Sequence, residues 1–487
     1  MASTTDQIKP TLPFDIIESI LDQLAYDDDT QTLHACSLLN EDTLHLCRSH
    51  LFRTFDMRAR GASGEESSLI TFYGLLSVSP HLVPYVRVVH ILDLNSKHWV
   101  LNHPILPRFL QLLTDLEIFG LHVMKPVTWK VLDPALLSWM TELAARPTLV
   151  GLHLTGVEDV SLAFLNSCRF LKSLNLDTSS LEPRTSLNDE EEQAEKRKST
   201  GLSDGDRISL ESITFANCQL FLARLNDYMG TTQPFLDFSR LRDININFTP
   251  SAFDVTWKII RSARKTLETL KVSQSYTDGS STQTQSFMLS TGLDAHRQLL
   301  PHVTLAPMHQ LRQLSFTILV QDLYSPSPSE SIGEWCLLFR TAPPGIEKIH
   351  ITLDLFFLYP GGVAGLFPPS PSRKSSKSKS GPKYEEELQP TLFSELDETL
   401  SSGQFFPCLS QIIVEIQLPE DHSDSSDSEY AVYGDDDSDG PHQPSLTFEE
   451  IKASVNRMMK QARRKLGRTT PAGAVGDAFK VLVGVGN

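Results

Sequence analysis

One short pattern returns ten times along this chain of 487 residues, and it constrains the fold more than any other feature. It consists of an apolar residue, two free positions, a second apolar residue, one free position and a third apolar residue. Its copies are Val86/Val89/Ile91, Leu116/Phe119/Leu121, Leu149/Leu152/Leu154, Leu171/Leu174/Leu176, Leu210/Ile213/Phe215, Leu241/Ile244/Ile246, Leu267/Leu270/Val272, Leu311/Leu314/Phe316, Ile346/Ile349/Ile351 and Leu409/Ile412/Val414. The last two apolar residues flank one free position, which is the alternation of a half-buried β-strand. The pattern therefore predicts many short strands, each with one apolar face.

Stretches with helical spacing separate several of the predicted strands. They are Pro134 to Ala145, Asp159 to Cys168 and Ala252 to Lys265. A single strand with its helix cannot bury its apolar face alone, so neighbouring units have to pack side by side. The sequence thus indicates a repetitive α/β architecture.

The pattern resembles the strand segment of a leucine-rich repeat. That resemblance implies an irregular leucine-rich-repeat-like solenoid with disordered inserts. The irregularity follows from the spacing, because successive copies start as little as 22 residues apart (Leu149 to Leu171) and as much as 63 residues apart (Ile346 to Leu409). The alternative is an ordinary α/β domain with a parallel sheet, since regularly spaced strand–helix units look alike in the two folds.

The segment from Leu12 to Phe55 predicts three short amphipathic helices. Pro13 suits a first helical turn, where its missing N–H costs nothing. The residues with helical spacing are Ile16, Ile17, Ile20, Leu21 and Leu24 in the first helix, Leu33, Cys36, Leu39 and Leu44 in the second, and Leu46, Cys47, His50, Leu51 and Phe52 in the third. The acidic turn from Asp27 to Thr30 ends the first helix. A small bundle of this kind has a thin core, so we expect it to need a partner surface.

This segment resembles an F-box, in particular that of the large fungal F-box families. The matching residues are Leu12-Pro13, Ile16, Ile20, Leu24, Ala35-Cys36-Ser37-Leu38 and His50-Leu51-Phe52-Arg53. The chain departs from the family where a Trp usually follows the Cys, since it reads Asn40-Glu41-Asp42-Thr43 there. The alternative interpretation is an N-terminal helical cap on the repeat domain.

The resemblance implies that the helical module docks on a Skp-type adaptor, which joins a cullin-RING ubiquitin ligase. The adaptor-binding residues that it implies are Leu12, Pro13, Ile16, Ile17, Ile20, Leu24, Leu38 and Leu51. Some of these side chains must form the core of the module itself, and the sequence does not divide the two sets.

The predicted organisation follows the changes in composition along the chain. It comprises a disordered N-terminus at 1–10, an F-box-like helical module at 11–58, a repeat domain at 68–419 with inserts near 183–207, 273–297 and 368–390, an acidic disordered linker at 420–446, a basic helix at 447–468 and a tail at 469–487. The inserts and the linker are polar and charged, so they bury too little apolar area to offset chain entropy.

The two C-terminal segments invite functional interpretations. Asp435, Asp437 and Asp439 match the start of an EF-hand loop, but Leu446 stands where the bidentate Glu belongs, so a solvated linker is expected. The basic helix begins with a capping box, Thr447 and Glu450. It is interpreted as a cap on the last repeat, with a nuclear-localisation signal and a contact with the acidic linker as alternatives.

Composition limits the compartment and the partners. A net charge of −17 argues against general nucleic-acid binding, which needs a basic surface. The six cysteines form no CxxC motif and are interpreted as small core residues. The N-terminus carries no apolar signal region, and glycines and prolines interrupt the uncharged run at 355–372. We expect an intracellular protein, cytoplasmic or nuclear, with no nucleic-acid or membrane partner.

The sequence carries no recognisable catalytic motif. It has no GxSxG, no Walker loop, no GxGxxG and no HExxH. His45 and His50 are five residues apart, as are His98 and His103, and neither spacing makes a convincing ligand pair on one helix face. The prediction is a protein that is not an enzyme, with no catalytic residues, no cofactor and no metal.

The sequence therefore predicts a non-catalytic substrate-recognition subunit of a Skp-cullin-F-box ubiquitin ligase. Its repeat domain would bind an unknown protein substrate and hold it near the conjugating enzyme, so that proximity accelerates transfer. The alternative is a ubiquitin-independent repeat scaffold that binds a protein partner. A third hypothesis is a nuclear scaffold directed by the basic helix.

Overall fold

The computed structural model divides the chain into two compact units. One comprises Met1–Leu210 with Thr214–Asp237, and the other comprises Glu211–Ile213 with Phe238–Asn487. The residues that the structure describes are 12–58, 68–93, 98, 100–182, 207–229, 236–248, 252–274, 304–319, 336–354, 399, 406–418 and 479–485.

Three helices open the first unit: α1 (Phe14–Tyr26), α2 (Thr30–Cys36) and α3 (Glu41–Leu51). Side-chain hydrogen bonds fix where the second and third helices begin. The Asp29 carboxylate accepts from the backbone N–H of Thr32, 3.0 Å away, at the start of α2. The Asn40 side chain accepts from the N–H of Thr43 at 2.8 Å, and the Thr43 hydroxyl accepts in return from the N–H of Asn40. Such reciprocal capping satisfies two backbone donors that a helix terminus leaves without a partner.

The three helices share a small core formed by Leu21, Leu33 and Cys47. The second helix is shorter than the sequence pattern indicates. It ends at Cys36, so Leu39 lies in the connection to α3 and Leu44 belongs to α3. The reason is the Asn40 cap, which starts a new helix before the apolar periodicity of α2 can continue.

Parallel strands form most of the first unit. In chain order they are β1 (Thr54–Arg58), β2 (Val88–Asp93), β3 (Ile118–Thr128), β4 (Gly151–Glu158), β5 (Ser173–Asp177), β6 (Ile208–Ser209), β7 (Ser212–Ala216) and β8 (Leu236–Asp237). The sheet runs β1-β2-β3-β4-β5-β7, while β6 pairs with β8 in a separate short ladder. Only Phe52 and Arg53 separate helix α3 from strand β1.

Helices connect the strands of this unit. They are α4 (Ser68–Val78), α5 (Leu106–Leu112), α6 (Pro134–Ala144), α7 (Leu162–Ser167) and α8 (Gln219–Met229), with 3-10 turns at Pro80–Tyr85 and Trp129–Val131. Aromatic contacts fasten them to the sheet. Phe55 of β1 stacks on Phe72 of α4 at 3.7 Å between ring centroids, and Trp139 of α6 meets Phe119 of β3 edge-on at 5.3 Å.

The apolar residues of neighbouring strands lie in register and form the core. One row pairs Val89, Phe119, Leu152 and Leu174, and the next pairs Ile91, Leu121, Leu154 and Leu176. All eight side chains are buried. Side chains alternate across a strand, so the residues between these rows face the opposite side of the sheet.

The second unit repeats the arrangement with strands β9 (Asp243–Phe248), β10 (Thr269–Gln274), β11 (Gln313–Leu319), β12 (Lys348–Asp354), β13 (Gln411–Leu418) and β14 (Phe479–Val485), and with helix α9 (Phe253–Ser262). These strands are parallel and adjacent in chain order. One row of its core pairs Ile244, Leu270, Leu314, Ile349 and Ile412. Strand β14 lies in the segment that the sequence indicated only as a tail.

The predicted architecture, a helical F-box-like bundle followed by an irregular leucine-rich-repeat-like solenoid, is wrong. Each of the two units consists of parallel strands with helices, an α/β fold that corresponds to the alternative raised from the sequence. The strand positions themselves are confirmed, because all ten copies of the pattern end on a strand. The pattern reports a buried parallel strand and its inward-facing residues, and it carries no information on how successive units curve.

Several sequence predictions concern residues outside the described ranges. These are the N-terminus at 1–10, the acidic linker at 420–446, the basic helix at 447–468 and most of the three inserts. The cysteine prediction is confirmed for Cys47, Cys168, Cys218 and Cys336, which are buried, whereas Cys408 is exposed. Across the helices of the described segments, none combines the length and apolar character that crossing a bilayer requires.

A cavity on the core face of β3 should destabilise the first unit. Leu121 is fully buried, whereas Met124 on the same strand is 73% exposed. We expect Leu121→Ala to lower the free energy of unfolding by about 2–5 kcal/mol, through lost apolar burial and the remaining cavity. Met124→Ala should change it by less than about 0.5 kcal/mol. Urea denaturation followed by tryptophan fluorescence measures both, and equal effects would contradict the assignment of the core face.

Candidate functional sites

The structure divides the eight predicted adaptor-binding residues into two sets. Ile17, Leu24 and Leu51 are half-buried and pack against the Leu21–Leu33–Cys47 core. The exposed set is Leu12, Pro13, Ile16, Ile20 and Leu38. The first set therefore stabilises the helices, and the second is free to contact a partner.

The exposed set presents a large apolar area to solvent, and we name it the N-terminal apolar face. Ile16 and Ile20 are four residues apart on α1 and so share one side of the helix, with 44% and 48% of their surface exposed. Leu38 is 86% exposed in the connection that follows α2. Phe14 and Leu39 are also exposed and extend the set beyond the residues that the sequence analysis named.

Contacts hold the three helices in a fixed arrangement on the first unit. His50 of α3 meets the Asp22 carboxylate of α1, with 3.1 Å between His50 Nε2 and Asp22 Oδ1. His45 of α3 packs edge-on against Tyr85 of the 3-10 turn, with 5.3 Å between ring centroids. The apolar face is thus presented by helices that are tied both to one another and to the unit that carries the sheet.

The residues that depart from the F-box pattern have a structural role here. Asn40 and Thr43 form the capping box of α3, and Thr43 is buried. The position where the family usually carries a Trp is therefore used to start a helix. An aromatic anchor is not provided by this segment.

A second candidate site lies on the sheet face opposite the core rows and consists of His90, His122 and His153, the histidine cluster. His90 is on β2, His122 on β3 and His153 on β4, and all three are half-buried. Each offers one ring nitrogen such that all three nitrogens lie within 4.8 Å of one another. The shortest separation is 3.4 Å, between His122 Nε2 and His90 Nδ1.

Strand register and a glycine bring the three rings together. His90 pairs with Gly120 on β3, and Gly120 pairs with His153 on β4. Neighbouring strands are about 4.8 Å apart, so the backbones at His90 and His153 are separated by two strand spacings. The residue between them, Gly120, has only a hydrogen atom as its side chain. Their rings converge over Gly120 to 5.5 Å between centroids. His122, two residues along β3, completes a triangle on the same face.

Gly120 is required for this convergence. A Cβ built at this position would lie 2.2 Å from His90 Nδ1 and 3.1 Å from His122 Nε2. A glycine inside a strand weakens it and commonly marks close approach by another group. Any larger residue at this position would therefore push the rings apart.

Burial disfavours the charged form of the three imidazoles. It lowers the pKa of His90 and of His122, with partial opposition from Asp56 in both cases. The pKa of His153 falls to about 4, because of burial and then of repulsion from His90 and His122. Neutral imidazoles have a free lone pair, which is the form that binds metal ions.

One hydrogen bond orients the middle ring. His122 Nδ1 lies 2.9 Å from the hydroxyl oxygen of Thr155 on β4. With the proton on Nδ1 donated to Thr155, the lone pair of His122 is on Nε2, which points toward His90. The cluster can therefore direct three ring nitrogens at one cation.

Sequence reasoning missed this cluster because it compared histidines that are close in the chain. His50 and His45 contact Asp22 and Tyr85, and His103 Nδ1 accepts from the N–H of Ile105 at 3.2 Å. The usable signal was in the repeat itself. When the copies are aligned, His90, Gly120 and His153 occupy the same free position in three successive copies.

The cluster makes the stability of the first unit depend on pH. Because the pKa of His153 falls from 6.5 to about 4 on folding, the unfolded chain binds more protons than the folded chain between these values. We expect the free energy of unfolding to decrease as the pH is lowered from 6.5 toward 4. In EDTA, the thermal midpoint of His153→Gln should decrease less than that of wild type between pH 7 and pH 5. Exposed His34 provides the control, since His34→Gln should follow wild type.

Comparisons with known proteins add no relationship to this geometry. The chain matches no known protein family, and a search of curated proteins found no similar sequence.

Proposed function

We propose that the chain is a non-catalytic substrate-recognition subunit of a cullin-RING ubiquitin ligase and that its N-terminal helices bind a Skp-type adaptor. The observation that carries the proposal is the N-terminal apolar face. Leu12, Ile16 and Ile20 remain exposed although the core of the three helices is already filled by other residues. Exposed apolar side chains grouped on one element are typical of an interaction site.

The physical driving force is apolar burial. Complete burial of an Ile or Leu side chain contributes about 1.5–3 kcal/mol, and these side chains are already about half covered, so each supplies roughly 1 kcal/mol on binding. Several such contacts act together with a preorganised backbone, because the His50–Asp22 contact and the α3 cap hold the helices in place without a partner. Preorganisation lowers the entropic cost of association.

The remainder of the chain would select a protein substrate. Rigid attachment of the helices to the sheet places a bound substrate at a defined distance from the adaptor. Ubiquitin transfer is then promoted by effective concentration, with no catalytic group supplied by this chain.

The capping box at Asn40 and Thr43 favours a second candidate function. Because these residues start α3 where the family carries an aromatic anchor, the helices would in this case support a ubiquitin-independent scaffold that binds a protein partner. Adaptor binding separates the two functions.

The full chain is expected to form a complex with a purified Skp-type adaptor, measured by pull-down and by calorimetry. Ile16→Ala combined with Ile20→Ala should weaken the complex about tenfold or more, because about 2 kcal/mol of apolar burial is lost. The matched control is Met124→Ala combined with Val131→Ala, two side chains that are 73% and 76% exposed elsewhere in the first unit.

The control pair should bind the adaptor as wild type does. Failure of the wild-type chain to bind would overturn the ligase function and leave the scaffold. Undiminished binding by the double variant, with helix content preserved in circular dichroism, would show that the adaptor uses another surface.

A further inference from the structure

We propose that His90, His122 and His153 form a binding site for a divalent transition-metal ion of the zinc class, with three imidazole ligands and a fourth position left for water or an added ligand. The site lies on the sheet of the first unit and uses none of the residues of the N-terminal apolar face. It is therefore independent of the adaptor proposal.

The first argument is distance. In a tetrahedral zinc site with Zn–N bonds of about 2.0–2.1 Å, the ligand nitrogens are roughly 3.3 Å apart. His90 Nδ1 and His122 Nε2 are already 3.4 Å apart. One ring nitrogen from each of the three histidines lies within 4.8 Å of the other two, so a small rotation of the His153 ring completes the set.

The second argument is the room that the sheet provides. Gly120 removes the one side chain that would stand between His90 and His153, at the cost of a weaker strand. A Cβ at 120 would collide with the very atom, His90 Nδ1, that approaches His122. The missing side chain of Gly120 therefore leaves space between the three rings.

The third argument is the surroundings of the ligands. A histidine that binds a metal ion usually donates the N–H of its other ring nitrogen to an oxygen acceptor. The hydroxyl oxygen of Thr155, 2.9 Å from His122 Nδ1, is such an acceptor. Asp56 pairs with His90 across β1 and β2, and Asp177 pairs with Thr155 across β4 and β5. Both carboxylates act electrostatically on His122 and favour positive charge there.

The chemistry of the ligands selects the class of ion. Three neutral imidazoles suit zinc, copper and nickel, whereas calcium and magnesium require oxygen ligands. Three protein ligands leave the fourth tetrahedral position open, as in zinc sites that hold water.

The test uses the full chain without an affinity tag, stripped with EDTA and returned to chelator-free buffer. Calorimetric titration with Zn²⁺ should show one bound equivalent that His122→Asn lacks. Co²⁺ in its place should give the visible absorption of a tetrahedral nitrogen site, whereas Ca²⁺ and Mg²⁺ should not bind there.

Gly120→Ala is the more specific test, because it keeps all three histidines and only fills the space between their rings. We expect it to weaken zinc binding at least about tenfold, in the range of changes around a metal ligand. The matched control is Gly74→Ala on helix α4, where an added Cβ meets no atom within 4 Å and zinc binding should stay at the wild-type level.

Thr155→Val provides a second variant in case a histidine substitution impairs folding. It retains every ligand and should weaken zinc binding about 10–100-fold by releasing the His122 ring. Absence of a zinc equivalent in the wild-type chain would overturn the proposal and leave three imidazoles that only pack against one another. Zinc binding that is unchanged in both Gly120→Ala and His122→Asn would also overturn it, since the ion would then lie elsewhere.

Discussion

The first unit depends on one constraint, the in-register burial of the apolar face of a parallel sheet. Phe119 and Leu121 illustrate it, because each lies between equivalent residues of the two neighbouring strands, and Trp139 of α6 packs against Phe119. A parallel strand reaches its neighbour only through a crossover, so every strand requires a connecting segment that also contributes to the core. Because burial of these rows fixes how the strands pair, it also fixes which residues are neighbours on the opposite face. That fixed register is what aligns His90, Gly120 and His153.

The sequence predicts individual elements well because their signals are local. Ten strands were located from the apolar alternation, and α1 was located from the spacing of Ile16, Ile20 and Leu24 together with Pro13. The overall architecture was predicted wrongly because the same local pattern suits a leucine-rich-repeat solenoid and an ordinary α/β domain with a parallel sheet. The arrangement of successive strand–helix units depends on packing between segments that are distant in the chain. It therefore cannot be predicted from a single copy of the pattern.

The two candidate sites were predictable to different degrees. The N-terminal apolar face was anticipated in part, but the division between Ile16 and Ile17 required the structure, because α1 has apolar residues on both its inner and outer sides. The histidine cluster was not anticipated at all. Its members are more than thirty residues apart in the chain, and their convergence requires both the strand register and the missing side chain of Gly120.

The two-residue link between α3 and β1 has a mechanical consequence. The backbone N–H groups of Phe52 and Arg53 donate to carbonyl oxygens of Arg48 and His50, so hydrogen bonds tie the link to α3 and limit its freedom to bend. A protein carried by this sheet would be held at one orientation with respect to anything bound by the helices. Under the proposed ligase function, this fixed orientation would decide which lysines of a bound target are modified, because only lysines on the side turned toward the conjugating enzyme would come within reach.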